Sequence, residues 1–326
     1  MQSKFLFYLL TTILLTAALV AEAQQTKLPR VGLLVGGSAS SDAIRIEAFR
    51  QALRELGYVE GKNIDVETRY AAANPDRLPA LATELVHLPV DVIVTAGTTA
   101  TGAARRVTNT IAIVMAQDID PVGAGFVASL ARPGGNITGL SRLAPEVSGK
   151  QLELLKEIIP GLAHVAVLGT STQPGTAQEL KEIESTAKAI AVQSQYFDIS
   201  TQKDIKPAFR SATKGHAGAL LLLSGPILLV ERKEIIELAA KSHLPAMYFS
   251  REFVEDGGLM IYAANVTEMW RRAATYVDKI LKGAKPADLP VEQPTKFEFI
   301  INLKAAKQIG LTIPPNVLAR ADKVIR

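Results

Sequence analysis

The sequence predicts an α/β protein of two similar lobes, each a doubly wound parallel sheet. Three apolar strand candidates occur twice in the same order, because Val31–Gly37, Asp91–Thr98 and Ala112–Asp118 return as Val165–Ser171, Gly218–Gly225 and Ala246–Glu252. Aromatic residues make up only 6% of the chain, which is typical of buried aliphatic strands covered by Ala/Leu-rich helices. Ligands bind outside the carboxyl ends of the strands in such sheets, so two facing lobes predict a cleft for a small solute.

Strand and helix signals alternate along the first lobe. Asp42 is placed to cap a helix that Gly57 closes, and Asn74-Pro75 begins a second helix. The predicted strands are Val31–Val35, Ile64–Tyr70, Asp91–Thr95 and Ile111–Ala116.

The second lobe repeats the pattern after a Pro-, Gly- and Asn-rich crossover at Arg132–Gly139. Its predicted strands are Val165–Leu168, Ser194–Phe197, Ala219–Leu223 and Ala246–Phe249. A second crossover is expected near Tyr262–Asn265, before an amphipathic helix over Thr267–Leu281 and a final strand over Lys296–Ile301. The C-terminal pieces are too small for a domain, so we expect a three-stranded hinge, with residues 27–138 plus 264–292 in the N-terminal lobe and 139–263 plus 293–326 in the C-terminal lobe.

The N-terminus is typical of a removable export signal over residues 1–23. Lys4 precedes the apolar run Phe5–Val20, and Ala21-Glu22-Ala23 supplies small residues before a cut at Gln24. An uncleaved membrane anchor is the alternative, but the apolar run is short for a span of ~20 residues. The chain has no cysteine for lipid attachment, so we expect a soluble, unlipidated periplasmic protein.

Several chemistries are disfavoured by the sequence. The net charge of +4 comes from 36 basic and 32 acidic residues spread along the chain, which does not indicate nucleic-acid binding. The four histidines have no metal-ligand spacing, and no G-x-S-x-G nucleophile motif occurs. Gly123–Ala128 matches a dinucleotide fingerprint only in spacing, because it does not follow the first strand of a βαβ unit. We therefore expect no cofactor, no metal and no catalysis.

Polar side chains stand at the predicted strand ends of both lobes. Hydroxyls and free N–H groups at helix starts bind carboxylates well, and opposing acids could hold an ammonium, so this set suits a zwitterion such as an amino acid. Asp118 and Asp120 could instead be an acid/base pair, although Asp120-Pro121 also resembles a helix start. The candidate ligand-binding residues are Ser38, Ser40, Ser41, Thr98, Thr99, Asp118, Asp120, Thr170, Ser171, Ser224, Ser250 and Arg251.

Four segments carry a resemblance to a known family. Ala48–Gly61, Asp76–Leu85, Asp120–Gly139 and Arg272–Glu298 resemble the bacterial ABC-transporter substrate-binding proteins, whose best-known members take up tryptophan and tyrosine. The resemblance implies a type I periplasmic-binding fold and a small-molecule solute delivered to an ABC permease in the inner membrane. We expect a monomer that captures an amino acid or a related small organic acid.

Two loops depart from the family pattern. Where members commonly have Trp-Asn-Pro after the first strand of the second lobe, this chain has Gly169–Pro174. Where others have Asp-Pro after the next strand, it has Ser224-Gly225-Pro226. An aromatic amino acid is therefore not implied. Two other functions stay open: a ligand-sensing partner of a membrane receptor or sensor kinase, and a periplasmic hydrolase, for which no nucleophile–base pair can be assembled.

Overall fold

Two sheets flanked by helices organise the chain in the computed structural model, which describes residues 28–326. The expected signal peptide over residues 1–23 lies outside the described residues. Within residues 28–326, no helix combines the length and apolar character needed to cross a bilayer.

The strands fall into two groups along the chain. They are β1 Arg30–Val35, β2 Asp65–Tyr70, β3 Val92–Ala96, β4 Ala112–Asp118, β5 Ile137–Ser141, β6 His164–Gly169, β7 Gln193–Asp198, β8 Ala219–Leu222, β9 Ala246–Tyr248, β10 Met260–Ala264, β11 Phe297–Asn302 and β12 Lys323–Ile325. The helices are α1 Ala43–Glu55, α2 Leu78–His87, α3 Thr98–Val107, α4 Ala144–Ile158, α5 Thr176–Ala189, α6 Gln202–Lys214, α7 Pro226–Val230, α8 Arg232–Lys241, α9 Arg251–Glu255, α10 Val266–Leu281, α11 Leu303–Gln308 and α12 Pro315–Leu318.

The first sheet has the order β2-β1-β3-β4-β5, and its strands are parallel. This is a doubly wound order whose direction reverses at β1 and β3, the place where such sheets bind ligands. Strand β5 was not predicted, because Ile137–Ser141 is short and follows a Pro- and Gly-rich run. Gly139 lets β5 lie against β4, since a Cβ there would overlap backbone atoms of Met115.

The second sheet has the order β12-β11-β10-β9-β8-β6-β7. Strands β6 to β10 run parallel to one another, whereas β11 pairs antiparallel with β10 and parallel with β12. The strand predicted over Lys296–Ile301 is thus β11, but it is not the final one, because the short β12 follows it. Strand β10 was not predicted either, and it occupies most of the crossover expected at Tyr262–Asn265.

Helix α10 lies late in the chain but packs on the first sheet. Trp270 in α10 is fully buried and meets the ring of Phe49 in α1 edge-on, with ring centroids 6.2 Å apart. Asn265 caps α10, because its side chain accepts a hydrogen bond from the Glu268 amide.

The chain passes between the two sheets three times. The first passage lies between β5 and α4, the second between β10 and α10, and the third between Glu292 and β11. Since β5 continues the first sheet through Ser141, the first passage falls a few residues after the expected boundary at 138/139. Leu140 and Glu292 form a parallel bridge, so two of the passages run side by side.

Candidate functional site

The carboxyl ends of β1, β3 and β4 face the loops that follow β6, β8 and β9, and two adjacent cavities lie between them. The inner pocket has a volume of about 40 Å³, and the outer chamber has a volume of about 410 Å³. Both are lined from each sheet, and they share Ala96, Gly97, Gln173 and Pro226. The strand-end loops therefore enclose a space between the lobes, as the topology predicts.

Arg142 lines the inner pocket from the segment that follows β5. Its backbone N–H donates to the Asp118 carbonyl oxygen at 2.7 Å, and its Nη2 donates to the Ser224 hydroxyl at 2.9 Å. Its Nε is buried and has no hydrogen-bond partner. Burial, aided by the charge of Arg45, lowers the pKa of Arg142 to about 10, so the guanidinium stays protonated at neutral pH.

The Gln117 side chain also lines the inner pocket. Its Oε1 is buried without a hydrogen-bond partner. Arg142 and Gln117, which both line the pocket, thus each carry a buried polar side-chain atom without a hydrogen-bond partner.

Arg45 joins the two lobes beside the same pocket. Its Nε donates to Glu252 Oε1 at 2.8 Å and its Nη2 to Ser250 Oγ at 2.8 Å, while Nη1 lies 3.3 Å from Asp42 Oδ1. Ser250 also donates a short hydrogen bond to Glu252. Burial alone would raise the pKa of Glu252, but the adjacent Arg45 charge holds that pKa below its usual value. This group, one guanidinium with two carboxylates and a hydroxyl, is a buried polar contact that spans the cleft.

Asp118 and Thr98 form a buried pair behind the inner pocket. Thr98 Oγ1 donates to Asp118 Oδ1 at 2.8 Å, and the Ile119 N–H donates to the same oxygen at 2.8 Å. Asp118 Oδ2 is buried without a partner. Burial raises the pKa of Asp118 to about 6.

Glu179 on α5 approaches Arg142 from the second lobe. It accepts a hydrogen bond from the Ser148 hydroxyl at 3.3 Å, and its Oε2 has no partner. Burial raises the pKa of Glu179 to about 7, although the Arg142 charge acts in the opposite direction.

The outer chamber carries a direct contact between the lobes. Thr99 Oγ1 at the start of α3 donates to Gln173 Oε1 in the β6–α5 loop at 3.1 Å. Much of the chamber wall is apolar, from Ala73, Leu78, Pro79, Ala100, Pro226 and Ile227. Asp76 and Arg106 are its charged lining residues.

The structure brings three of the predicted site residues to the cavities. Thr99 and Thr170 line the outer chamber, and Ser224 lines the inner pocket. Their role in ligand binding remains a prediction.

The other predicted residues lie outside the linings of both cavities. Ser38, Ser40 and Ser41 hydrogen-bond among themselves in the β1–α1 loop. Ser171 is exposed, and its N–H donates to Asp198. Thr98, Asp118 and Ser250 are buried in the pairs described above.

Asp120 and Arg251 also have local roles. Asp120 accepts from the Gly123 N–H at 2.8 Å and begins a turn, not the helix that Asp120-Pro121 resembles in the sequence. Arg251 pairs with Glu255 at 3.0 Å and with Glu298 at 3.4 Å, all three within the second lobe.

The sequence did not predict a place in the site for four residues that the structure brings there, Arg45, Gln117, Arg142 and Glu179. Arg45 and Glu179 lie within helices, where a charged residue is usually taken as solvated. Arg142 follows a strand that was not predicted. Within residues 28–326, no cluster of three or more His, Asp or Glu side chains is arranged to hold a metal ion.

Comparisons with known proteins agree with this architecture. A family model described as ABC transporter substrate binding protein matches residues 31–325. The tyrosine-binding protein of Clostridioides difficile is 25% identical over 265 residues, which is 81% of this chain and 76% of that protein.

Solved structures are similar over most of the chain. A conserved domain protein from Vibrio cholerae superposes with a TM-score of 0.86 at 28% identity, covering 91% of this chain and 100% of that one. An ABC domain from Streptococcus pneumoniae in complex with L-Trp superposes with a TM-score of 0.83 at 25% identity, covering 90% of this chain and 100% of that one.

Proposed function

This chain belongs to the family of ABC transporter substrate-binding proteins, and from that premise we propose that it captures an amino acid or a related small organic acid between its two lobes. In this family the solute-binding protein works with an ABC permease, which is the expected partner here. The family resemblance stated from the sequence is confirmed, as is the two-lobe type I fold.

The observation that carries the proposal is the enclosed space between the strand-end loops. The outer chamber of about 410 Å³ falls in the range of ~300–1,000 Å³ that is typical of small-molecule sites. Its walls come from both lobes, and Thr99 and Gln173 join across it. A solute held there would contact both lobes and could therefore favour closure, which requires differential affinity for the closed state.

The relatives support an amino acid or a related acid as the solute. One is a tyrosine-binding protein, and another is a domain solved with L-Trp. Among residues 28–326, no Trp lines either cavity, and Phe249 is the aromatic residue of the inner pocket. We therefore keep the solute class wider than the aromatic amino acids.

The remaining features of the proposal concern cellular context. The protein acts in the periplasm after removal of residues 1–23, as a monomer, without catalysis and without nucleic acid. Transport is favoured over ligand sensing for a membrane receptor or sensor kinase, because the family match is to transport proteins.

A thermal-shift screen of Gln24–Arg326 tests the function. Ligand-stripped protein is melted with amino acids, aromatic acids, nucleosides, sugars and short peptides. A ligand at ~100 times its dissociation constant stabilises the folded state by about 2.7 kcal/mol, which a melting curve resolves. Hits among the amino acids or organic acids support the proposal, whereas the absence of any stabilising solute would contradict it.

A further inference from the structure

We propose that Arg142 binds the carboxylate of the solute, so that the cleft selects organic acids with an apolar body. The inference deepens the proposed function and rests on it, because it names the chemical class that the same cleft would take.

The Arg142 guanidinium lacks a carboxylate partner among residues 28–326. In the described part of the chain its side chain makes a hydrogen bond only to the neutral Ser224 hydroxyl, and its buried Nε has no partner. A buried cation is costly unless it is paired and fully hydrogen-bonded. A solute carboxylate could accept two hydrogen bonds from the guanidinium fork.

Arg45 provides the contrast within the same pocket. It is satisfied by Asp42 and Glu252, and its third partner is the Ser250 hydroxyl. Two guanidiniums therefore line one pocket, but only that of Arg142 is available to an anion.

Other hydrogen-bond donors lie around the inner pocket. The Ser224 hydroxyl accepts from Arg142, so its own hydrogen remains for a further acceptor. Gly97 lines the pocket directly before α3, a helix of ten residues. The first N–H groups of a helix have no intrahelical partner, and the helix dipole favours a negative charge there.

The acidic groups that act on Arg142 are Asp118, Glu179 and Glu252. Glu252 and Asp42 share the charge of Arg45, and both pair with Arg45 rather than with Arg142. Burial raises the pKa of both Asp118 and Glu179, so these two carboxyls can accept a proton rather than repel an arriving carboxylate. The surroundings of Arg142 can thus accommodate one additional negative charge.

The two cavities differ greatly in volume. The inner pocket of about 40 Å³ holds a small polar group, because a water molecule takes up ~30 Å³ in the liquid. The outer chamber is about ten times larger, with an apolar wall that includes Leu78, Pro79 and Ile227. An acid with its carboxylate inside and its hydrocarbon part outside fits both spaces at once.

The test compares acids with their own primary amides, because the amide keeps the body and removes the charge. Wild-type protein, stripped of ligand, is titrated calorimetrically with phenylacetate, 3-phenylpropanoate, indole-3-acetate, octanoate, L-phenylalanine and L-tryptophan, and with the primary amide of each. The variants are Arg142→Gln and Arg142→Lys, and Arg320→Gln is the matched control, since Arg320 lines neither cavity and pairs with Glu157. Circular dichroism confirms that each variant is folded.

We expect at least one acid to bind at least tenfold more tightly than its own amide, both to wild type and to Arg320→Gln. Arg142→Gln should weaken binding of that acid at least tenfold and remove the preference, and Arg142→Lys should retain part of it. An amide that binds as well as its acid, or an unchanged preference in Arg142→Gln, would overturn the proposal. If only sugars or nucleosides stabilise the protein in the thermal-shift screen, the carboxylate assignment fails while solute binding between the lobes stands; if no solute class binds, both fail.

Discussion

Arg45 and Glu252 lie in different lobes, yet their side chains form a buried ion pair with Nε and Oε1 2.8 Å apart. Arg45 is on α1, which covers the first sheet, and Glu252 is on α9, which follows β9 of the second sheet. Only 5% of the Arg45 side chain and 10% of the Glu252 side chain are exposed. The pair can exist only while the lobes are together, so it contributes to the closed conformation and not to either lobe alone.

Replacing Glu252 should therefore shift the protein toward the open conformation. Glu252→Gln leaves Arg45 without one of its two carboxylates, and breaking a buried pair costs ~3–5 kcal/mol. We expect a larger radius of gyration in small-angle scattering and a solute dissociation constant raised at least tenfold. Glu255→Gln is the control, because Glu255 pairs with Arg251 at a more exposed site within one lobe. Equal behaviour of the two variants would contradict the inter-lobe role.

Gly175 and Ile119 form a second contact across the cleft, and it limits how closely the lobes approach. A Cβ added at Gly175 would lie 2.6 Å from Ile119 Cγ2. We expect Gly175→Ala to weaken solute binding several-fold by holding the lobes apart.

The control for this variant is Gly283→Ala. Gly283 has φ +98, close to the +95 of Gly175, but a Cβ there meets no atom within 4 Å. Both variants should lose ~1 kcal/mol of stability from the positive φ. Only Gly175→Ala should lose affinity in calorimetric titration; a matching loss in Gly283→Ala would assign the effect to backbone strain.

Thr98 and Thr99 are adjacent but should respond differently to substitution. Thr98→Ala removes a donor from the buried Asp118 carboxylate, so the free energy of unfolding should fall by ~1–3 kcal/mol in urea titration. Thr98→Ser keeps the hydroxyl and should lose less. If Thr98→Ala and Thr98→Ser were both as stable as wild type, the hydrogen bond from Thr98 to Asp118 would not contribute to the stability of the fold.

Thr99→Ala should act on binding instead. Thr99 is half-buried and bonds to Gln173 across the cleft. We expect a weaker affinity with a nearly unchanged Tm. If Thr99→Ala bound the solute as tightly as wild type does, Thr99 would not be part of the binding site.

The raised pKa of Glu179 predicts how stability varies with pH. Because the pKa of about 7 in the folded state exceeds the ordinary value of 4.5, the native state binds an extra proton between these values. The associated stability is complete below about pH 4.5 and is lost as the pH rises through 7.

Glu179→Gln should abolish this loss. The Tm of the variant relative to wild type should increase between about pH 5 and pH 8. The underlying difference in unfolding free energy should reach a few kcal/mol at most, since one pKa unit corresponds to about 1.4 kcal/mol. Asp118 contributes with the same sign in both proteins, so the difference isolates Glu179. Melting curves that stay parallel across this range would contradict the assignment.

The repeated apolar strands were sufficient to predict the two sheets, because buried parallel strands must be apolar over their whole length. Strand β5 escaped prediction because its five residues include Gly139 and Thr138, which have low and moderate apolar character. Its position depends on pairing with β4, and that pairing is a tertiary contact.

Because strand β5 was not predicted, Arg142 was not predicted as a site residue. Arg142 directly follows β5, and without a strand at 137–141 nothing in the sequence places that arginine at a strand end. The hydroxyl residues in the loops were easier to find but less informative, because Ser38, Ser41 and Ser171 make local hydrogen bonds. Composition locates the loops, whereas the choice of residue within each loop depends on long-range packing.

The late position of α10 has a consequence for the order of folding. The first lobe needs Trp270 to fill its core, yet Trp270 follows nearly the whole second lobe in the chain. During synthesis, which generally allows N-terminal units to fold first, the first lobe must wait for a segment made near the end. Trp270 is the only tryptophan of the 326 residues, so its fluorescence reports when that core is completed. The emerging chain thus remains without a finished N-terminal core until translation is almost over.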